Sequence, residues 1–335
     1  MRQLCYIICL VFLASCASYN TLDIDILKPS SYQIPSDINS IVLINNSPEQ
    51  APSTGHSSYK QDITDYPTKI RKLSTDSIQV DSTCTNLLYS MSNQLSTSML
   101  FSEVTLGRKA FLPHVNVLNI DRAFQDYPAD AMLVLESLTY QDKLTLFYYR
   151  YYDTYESELE VITHSIWTLY FDKEKNITPF RFIVSDTLYW DQNYVERSEC
   201  VIEAVWHNAE KAAQYICPYW ISVNRIYHTG KGSIYRNIDK NIQKNAWDKA
   251  AKQWILLFNG EKKKSLKKAR MAYNMALFFE INNDLETARE WLSIAMEIFS
   301  DKQDKKNLNL CQLYDKVLEN RLILQEQLNA QLGLE

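Results

Sequence analysis

Glycine is scarce, with six among 335 residues, and neither glycine fingerprint of nucleotide binding occurs. A P-loop and a Rossmann glycine motif are both missing. Gly230-Lys231-Gly232-Ser233 is too short for a P-loop and reads as a linker. No HExxH helix and no GxSxG elbow is present, which excludes the commonest metalloprotease and hydrolase signatures. No CxxC pair occurs, so neither a zinc ribbon nor a thioredoxin-like site is expected. No cofactor and no catalytic residue is expected, and the chain reads as a non-enzyme. Basic residues are not in excess: 35 Lys and Arg stand against 40 Asp and Glu, a net charge of −5. Nothing in that balance argues for nucleic acid. The greasy run Tyr6 to Leu13 is well short of the ~20 residues a spanning helix needs.

What is present begins with that run. One charge (Arg2), a short apolar core and small residues at 14 and 15 describe a secretory signal peptide over residues 1–15. The ending Leu13-Ala14-Ser15-Cys16 resembles the bacterial lipobox, which implies that Cys16 is lipidated and becomes the first residue. Each buried CH₂ of a lipid chain contributes about 0.8 kcal/mol, so two or more chains give a stable membrane anchor. No acidic cluster follows Cys16 of the kind that resembles a surface-export signal. The expected location is the periplasmic face of the outer membrane.

The remaining length suits two domains. Residues 16–229 read as an α/β domain. Leu22 to Leu27 alternates as a first strand, and Ile38 to Asn46 is an apolar run of the kind buried on both faces. Residues 47–79, rich in Pro, Ser and Thr, read as a mobile loop. Ser82 to Leu100 carries Leu87, Leu88, Met91, Leu95 and Met99 at helical spacing. Strands follow at Phe101–Leu106, Ala131–Tyr140 and Leu144–Tyr155. A hairpin of Leu159–Phe171 with Phe180–Trp190 comes next. A helix at Tyr194–Ile216, stopped by Pro218, and a strand at Trp220–Tyr227 complete the domain. Four further cysteines remain: Cys84, Cys200, Cys217 and Cys311. Cys200 and Cys217 flank the second helix, which holds them ~25 Å apart, beyond disulfide reach. Free buried thiols are expected. The element order resembles CsgG-like and penicillin-binding-protein-activator lipoproteins over residues 20–228, as a likeness of pattern without a shared motif.

Residues 234–335 read as helical. Asn245-Ala-Trp-Asp-Lys-Ala250 is echoed by Asn283-Asp-Leu-Glu-Thr-Ala288, and the second copy sits in a helix pair with Ala276, Phe279, Leu292 and Ala295. That arrangement resembles the tetratricopeptide repeat. Its usual closing Pro is replaced by Ser300, and the first leading helix, Tyr235 to Lys244, is irregular. The lipobox, Asn45-Asn46-Ser47, the block from Asn245 to Trp254 and the block from Ala272 to Ala288 together resemble an uncharacterised Bacteroidetes lipoprotein family. The resemblance implies no activity and transfers no site residue. The fold class expected is α+β, a mixed-sheet domain followed by an all-α repeat domain.

Two stretches stand out as partner-binding. Tyr148, Tyr149, Arg150, Tyr151 and Tyr152 form an aromatic cluster that could stack on a glycan or anchor a protein; the alternative is a strand with alternate rings in the core. Lys263, Lys264 and Lys267 belong to a basic run that could meet an acidic partner or anionic headgroups; the alternative is a solvated link between helices. His207 beside Cys200 supplies too few ligands for zinc. Glu196, Glu199 and Glu203 read as a solvated helix face. The function expected is a lipid-anchored protein–protein scaffold. A glycan-binding lipoprotein and an unrecognised hydrolase are the alternatives.

Overall fold

The computed structural model describes residues 19–48, 56–61, 80–98, 100–107, 117–149, 151–191 and 196–334. The signal peptide, Cys16, Arg150 and most of 47–79 lie outside the described residues. The architecture is α+β: a mixed sheet region followed by a helical region. The chain divides into two compact units. One holds Pro29 to Tyr219 together with the last residues from Asn329; the other holds Tyr19–Lys28 and Trp220–Leu328.

In the sheet unit the strands are β2 (Ser40–Asn45), β3 (His56–Gln61), β4 (Glu103–Leu106), β5 (Ala131–Tyr149), β6 (Thr154–Phe171) and β7 (Phe180–Asp191). The helices are α1 (Val80–Thr97), α2 (Val117–Asp126) and α3 (Arg197–Ala213). The sheet order is β4-β2-β5-β6-β7, with β3 also beside β5. β2 runs parallel to β4 and β5, while β5–β6 and β6–β7 are antiparallel.

β2 is apolar and buried from Ile41 to Ile44 because both faces are covered there. Ile41 and Leu43 enter a core with Leu87, Met91 and Leu95 of α1 and Val201 and Val205 of α3. Val42 and Ile44 enter a second core with Ala123 of α2. Each such side chain contributes about 1.5–3 kcal/mol on burial. β6 has its outer face open and alternates, with Leu159, Val161, Trp167 and Leu169 buried.

Three sequence expectations need correction. Ala131–Tyr140 and Leu144–Tyr155 are not separate strands. β5 runs unbroken to Tyr149, and Tyr151, Tyr152 and Asp153 form a turn ahead of β6. The polar Gln141-Asp142-Lys143 resembles a break, yet Asp142 points inward and forms a bidentate pair with Arg197 of α3. The loop 47–79 contains β3, paired with Lys143–Tyr148. And α2 occupies a stretch assigned no element from sequence.

A polar seam fixes α3 on the sheet. Asn208 is fully buried; it accepts from Ser165 Oγ and donates to Thr163 Oγ1 at 3.2 Å. Asp186 of β7 bonds Lys211 and, at 3.0 Å, His207. The four cysteines are free and buried. Burial pushes the Cys200 thiol up to about 11 and those of Cys217 and Cys311 up to about 12.

The second unit pairs β1 (Tyr19–Lys28) with β8 (Tyr219–His228) and adds α4 (Ser233–Gln243), α5 (Trp247–Gly260), α6 (Leu266–Ile281), α7 (Leu285–Asp301) and α8 (Lys305–Leu332). By packing, the two-stranded ribbon goes with the helices rather than with the sheet, unlike the boundary at 229 read from sequence. The cause is side-chain mimicry of a strand. Asn274 of α6, fully buried, accepts from His228 N–H and donates to His228 C=O, both at 2.7 Å. The Gly230–Gly232 link is also more specific than a spacer. A Cβ at Gly230 would fall 2.6 Å from the Tyr235 ring, and Gly232 has φ +117°.

Three of the four junctions between these helices use one recurring turn; α5–α6 is the exception. Asn245, Asn283 and Gln303 each adopt a left-handed φ of 53–59°. The following N–H of Ala246, Asp284 and Asp304 reaches back to the carbonyl of Asn241, Phe279 and Phe299 at 2.8–2.9 Å. This closure satisfies orphan helix carbonyls, and Asn tolerates the left-handed position well. Asp284 then caps α7 through Thr287 N–H, and Asp304 accepts from Asn307 N–H. α4 is regular, with Ile238 and Ile242 buried, where an irregular helix was expected.

Ala276 of α6 and Ala288, Leu292 and Ala295 of α7 are fully buried in one core. Ala288→Leu should overpack it and destabilise the chain by about 1–3 kcal/mol. Thermal melting reads this directly, and an unchanged midpoint would show that α6 and α7 do not cross there.

Candidate functional site

The site best built by the fold lies in the helical unit and starts from one buried carboxylate. Glu280 ends the apolar run Ala276-Leu-Phe-Phe279 on α6 and is 1% exposed. Arg225 of β8 donates to it from Nε and Nη2 at 2.8–3.1 Å. Arg321 of α8 donates from Nη1 at 3.0 Å, and the Tyr314 hydroxyl donates at 2.6 Å. Arg321 also reaches the Asn283 side chain, at 3.1 Å. Two guanidinium groups and one phenol thus converge on one carboxylate. Burial alone would raise its pKa, but the Arg225 hydrogen bonds and charge, Tyr314 and Arg321 outweigh that, so it stays ionised below its ordinary 4.5. Burial and the adjacent carboxylate push the Tyr314 phenol up, so it remains a donor.

Glu280 and Arg321 line a cavity of about 300 Å³. Its other walls are Asp25, Ile26 and Leu27 of β1, Ile281, and the α8 stripe Leu324, Gln325 and Leu328. Trp220 of β8 stands at this cavity with 68% of its surface exposed. The groove therefore has apolar walls, an aromatic side and a rigid charged floor. Among the described residues no group of three His, Cys, Asp or Glu could hold a metal ion.

The residues singled out from sequence do not meet there. Tyr148 and Tyr149 end β5, and Tyr151 and Tyr152 form the tip of the β5–β6 hairpin. Tyr148 donates to Asp153 at 2.9 Å. Tyr151 and Tyr152 are 89% and 72% exposed, in an edge-to-face pair 4.9 Å apart. Arg150 lies outside the described residues. The lysine run divides. Lys264 is held by Glu297 and Asp301 of α7, and those carboxylates push its pKa up. Lys267 pairs with Glu261 at 3.0 Å. Lys263 is exposed. The basic run is therefore largely internal ion pairing along the helices rather than a bare cationic patch. Glu203, read as solvated, accepts from Trp190 Nε1 at 2.9 Å.

Sequence reasoning passed over Glu280, Arg225, Arg321 and Trp220. One signal was available: Glu280 is the single charge between Met271 and Ile281. A charge at that position in a buried helix demands a partner.

Comparison with known proteins bears on family, not on activity. Residues 38–228, more than half of the chain, match a domain of unknown function (DUF8603). The chain belongs to that family. Residues 236–320 match a second domain of unknown function (DUF6340). The two spans are separated by the glycine link. No curated protein matches. A solved structure titled "Crystal structure of uncharacterized protein" aligns at 15% identity, over 56% of this chain and 95% of that one, with a TM-score of 0.24. A likeness of that size carries no argument here. Among the described residues no helix is long and apolar enough to cross a membrane.

Glu280 yields a pH test with a defined sign. Its folded pKa is depressed, so the stability it contributes is present above the ordinary 4.5 and is lost as pH falls through the folded value. Glu280→Gln should cost about 3–5 kcal/mol at neutral pH, because it leaves two largely buried guanidinium groups short of a countercharge. Chemical denaturation of both proteins against pH should show that gap narrowing below pH 4.5. A gap that is constant with pH would mean the carboxylate is not the ionised partner.

Proposed function

We propose that this chain is a lipid-anchored scaffold of the bacterial envelope, held through Cys16 at the periplasmic face of the outer membrane, that docks a segment of a partner protein in the helical unit's groove. The helix pairs are read as tetratricopeptide-like, and the chain as a Bacteroidetes-type lipoprotein without catalytic activity. One observation carries the reading: Trp220 is largely exposed at a preformed apolar groove whose charged floor is already fixed. Exposed Trp beside Leu, on a surface that needs no reordering, is the chemistry of binding hot spots. Stacked helix pairs supply such surfaces to peptides. The anchor rests on the Leu13-Ala14-Ser15-Cys16 sequence.

A second reading has its own support. Tyr151 and Tyr152 present two bare rings at a hairpin tip, a geometry suited to stacking on a glycan.

Affinity capture of the anchored protein from envelopes separates the two. Cys16→Ser should first move the protein out of the membrane fraction, which establishes the compartment. Trp220→Ala should then reduce capture of a specific protein by about tenfold or more, while Tyr151→Ala with Tyr152→Ala should leave it alone. Capture that survives Trp220→Ala and is lost with the tyrosines, together with glycan-array binding, would overturn the scaffold in favour of the glycan reading.

A further inference from the structure

β7 is the last strand of its sheet, and its twelve residues pair with β6 in one unbroken antiparallel register from Phe180 to Asp191. Among the described residues no strand pairs with its other side. Proteins usually protect a long edge with Pro, Lys, a bulge or a very short strand. β7 has none of these. It carries one inward charge, Asp186, which is already paired with Lys211 and hydrogen-bonded to His207.

Two bonds on the open side show which backbone groups face outward. Thr187 N–H is taken by the Asp186 carboxylate at 2.8 Å, and the Ile183 carbonyl accepts from the Tyr215 hydroxyl at 3.4 Å. In an antiparallel strand alternate residues turn both groups to the same side. The outward set is therefore Arg181, Ile183, Ser185, Thr187, Tyr189 and Asp191. Their side chains are also those on the solvent face: Ile183 and Tyr189 are 50% and 59% exposed.

That set is self-complementary. Turned about a twofold axis at Asp186 and laid antiparallel on itself, Arg181 meets Asp191 of the second copy. Ile183 meets Tyr189, and Ser185 meets Thr187. These are an opposite-charge pair, a β-branched–aromatic pair and a hydroxyl pair, the three kinds of cross-strand contact that stabilise antiparallel sheets. Each occurs twice, as an isologous interface requires. An arbitrary partner strand would have to supply this pattern in reverse, whereas a second copy carries it. We propose that β7 is a homodimer interface, joining two copies edge to edge into one continuous sheet. It uses none of the groove residues, so it stands apart from the scaffold reading.

Sedimentation of the full-length lipidated chain in detergent tests this. The wild type should run as a dimer. Arg181→Asp should raise the dimer dissociation constant by about tenfold or more, because an acid then faces Asp191 on both sides of the axis. Adding Asp191→Arg to it should restore the dimer, which a folding defect would not allow. Ser185→Pro removes one outward N–H and also the Ser185 hydroxyl bond to His164 of β6, whereas Ser185→Ala loses only that bond, so Pro should dissociate the dimer and Ala should not, with both melting temperatures within a few degrees of the wild type. A monomer at concentrations on the order of 100 μM, a dimer indifferent to Arg181→Asp and Ser185→Pro, or no rescue by the charge swap would each overturn the proposal.

Discussion

The helical unit depends on the neutralisation of Glu280. A carboxylate buried without partners would take up a proton or destabilise the fold. Here Arg225 arrives from a strand, Arg321 and Tyr314 from the last helix, and the three meet at one side chain of α6. Apolar residues in their place could be as stable or more so. They would not have fixed direction, because greasy contacts slide and bidentate hydrogen bonds do not. The groove follows from this. Its floor is the ion cluster, its α8 wall is oriented by Arg321, and Trp220 stands on the strand that Arg225 and Asn274 pin to α6.

The sheet unit uses the same device three times along α3. Asp142 with Arg197, Ser165 and Thr163 with Asn208, and Asp186 with Lys211 and His207 lie between helix and sheet. Each ties a strand position to a helix position. A slip of one residue in β5, β6 or β7 would reverse which side chains face α3 and would leave these groups buried without partners. The polar seam thereby selects the register in which β7 pairs with β6 without a break.

How much of this was legible in the sequence depended on the range of the interaction that decided each element. β2, α1 and α7 follow from local periodicity, and their apolar positions are the buried ones. The break read at Gln141-Asp142-Lys143 fails because a partner 55 residues away makes Asp142 an inside residue. β1 and β8 look like parts of the sheet domain until Asn274 is seen bonding both backbone groups of His228. At the sites, the exposure of Tyr151 and Tyr152 suits their tip position. The lysine run misleads because its countercharges, Glu297 and Asp301, lie a helix away. Glu280 was readable only as a misfit within an apolar run, and nothing local says which arginines answer it.

The scaffold proposal puts partner docking in the groove beside Trp220 and not at the tyrosine tip. A photo-reactive amino acid placed at position 220 or at position 151 of the anchored protein, activated in intact envelopes, tests it most directly. The account predicts a discrete protein adduct from position 220 and none from position 151. An adduct formed only from position 151, or no protein adduct from position 220, would contradict it.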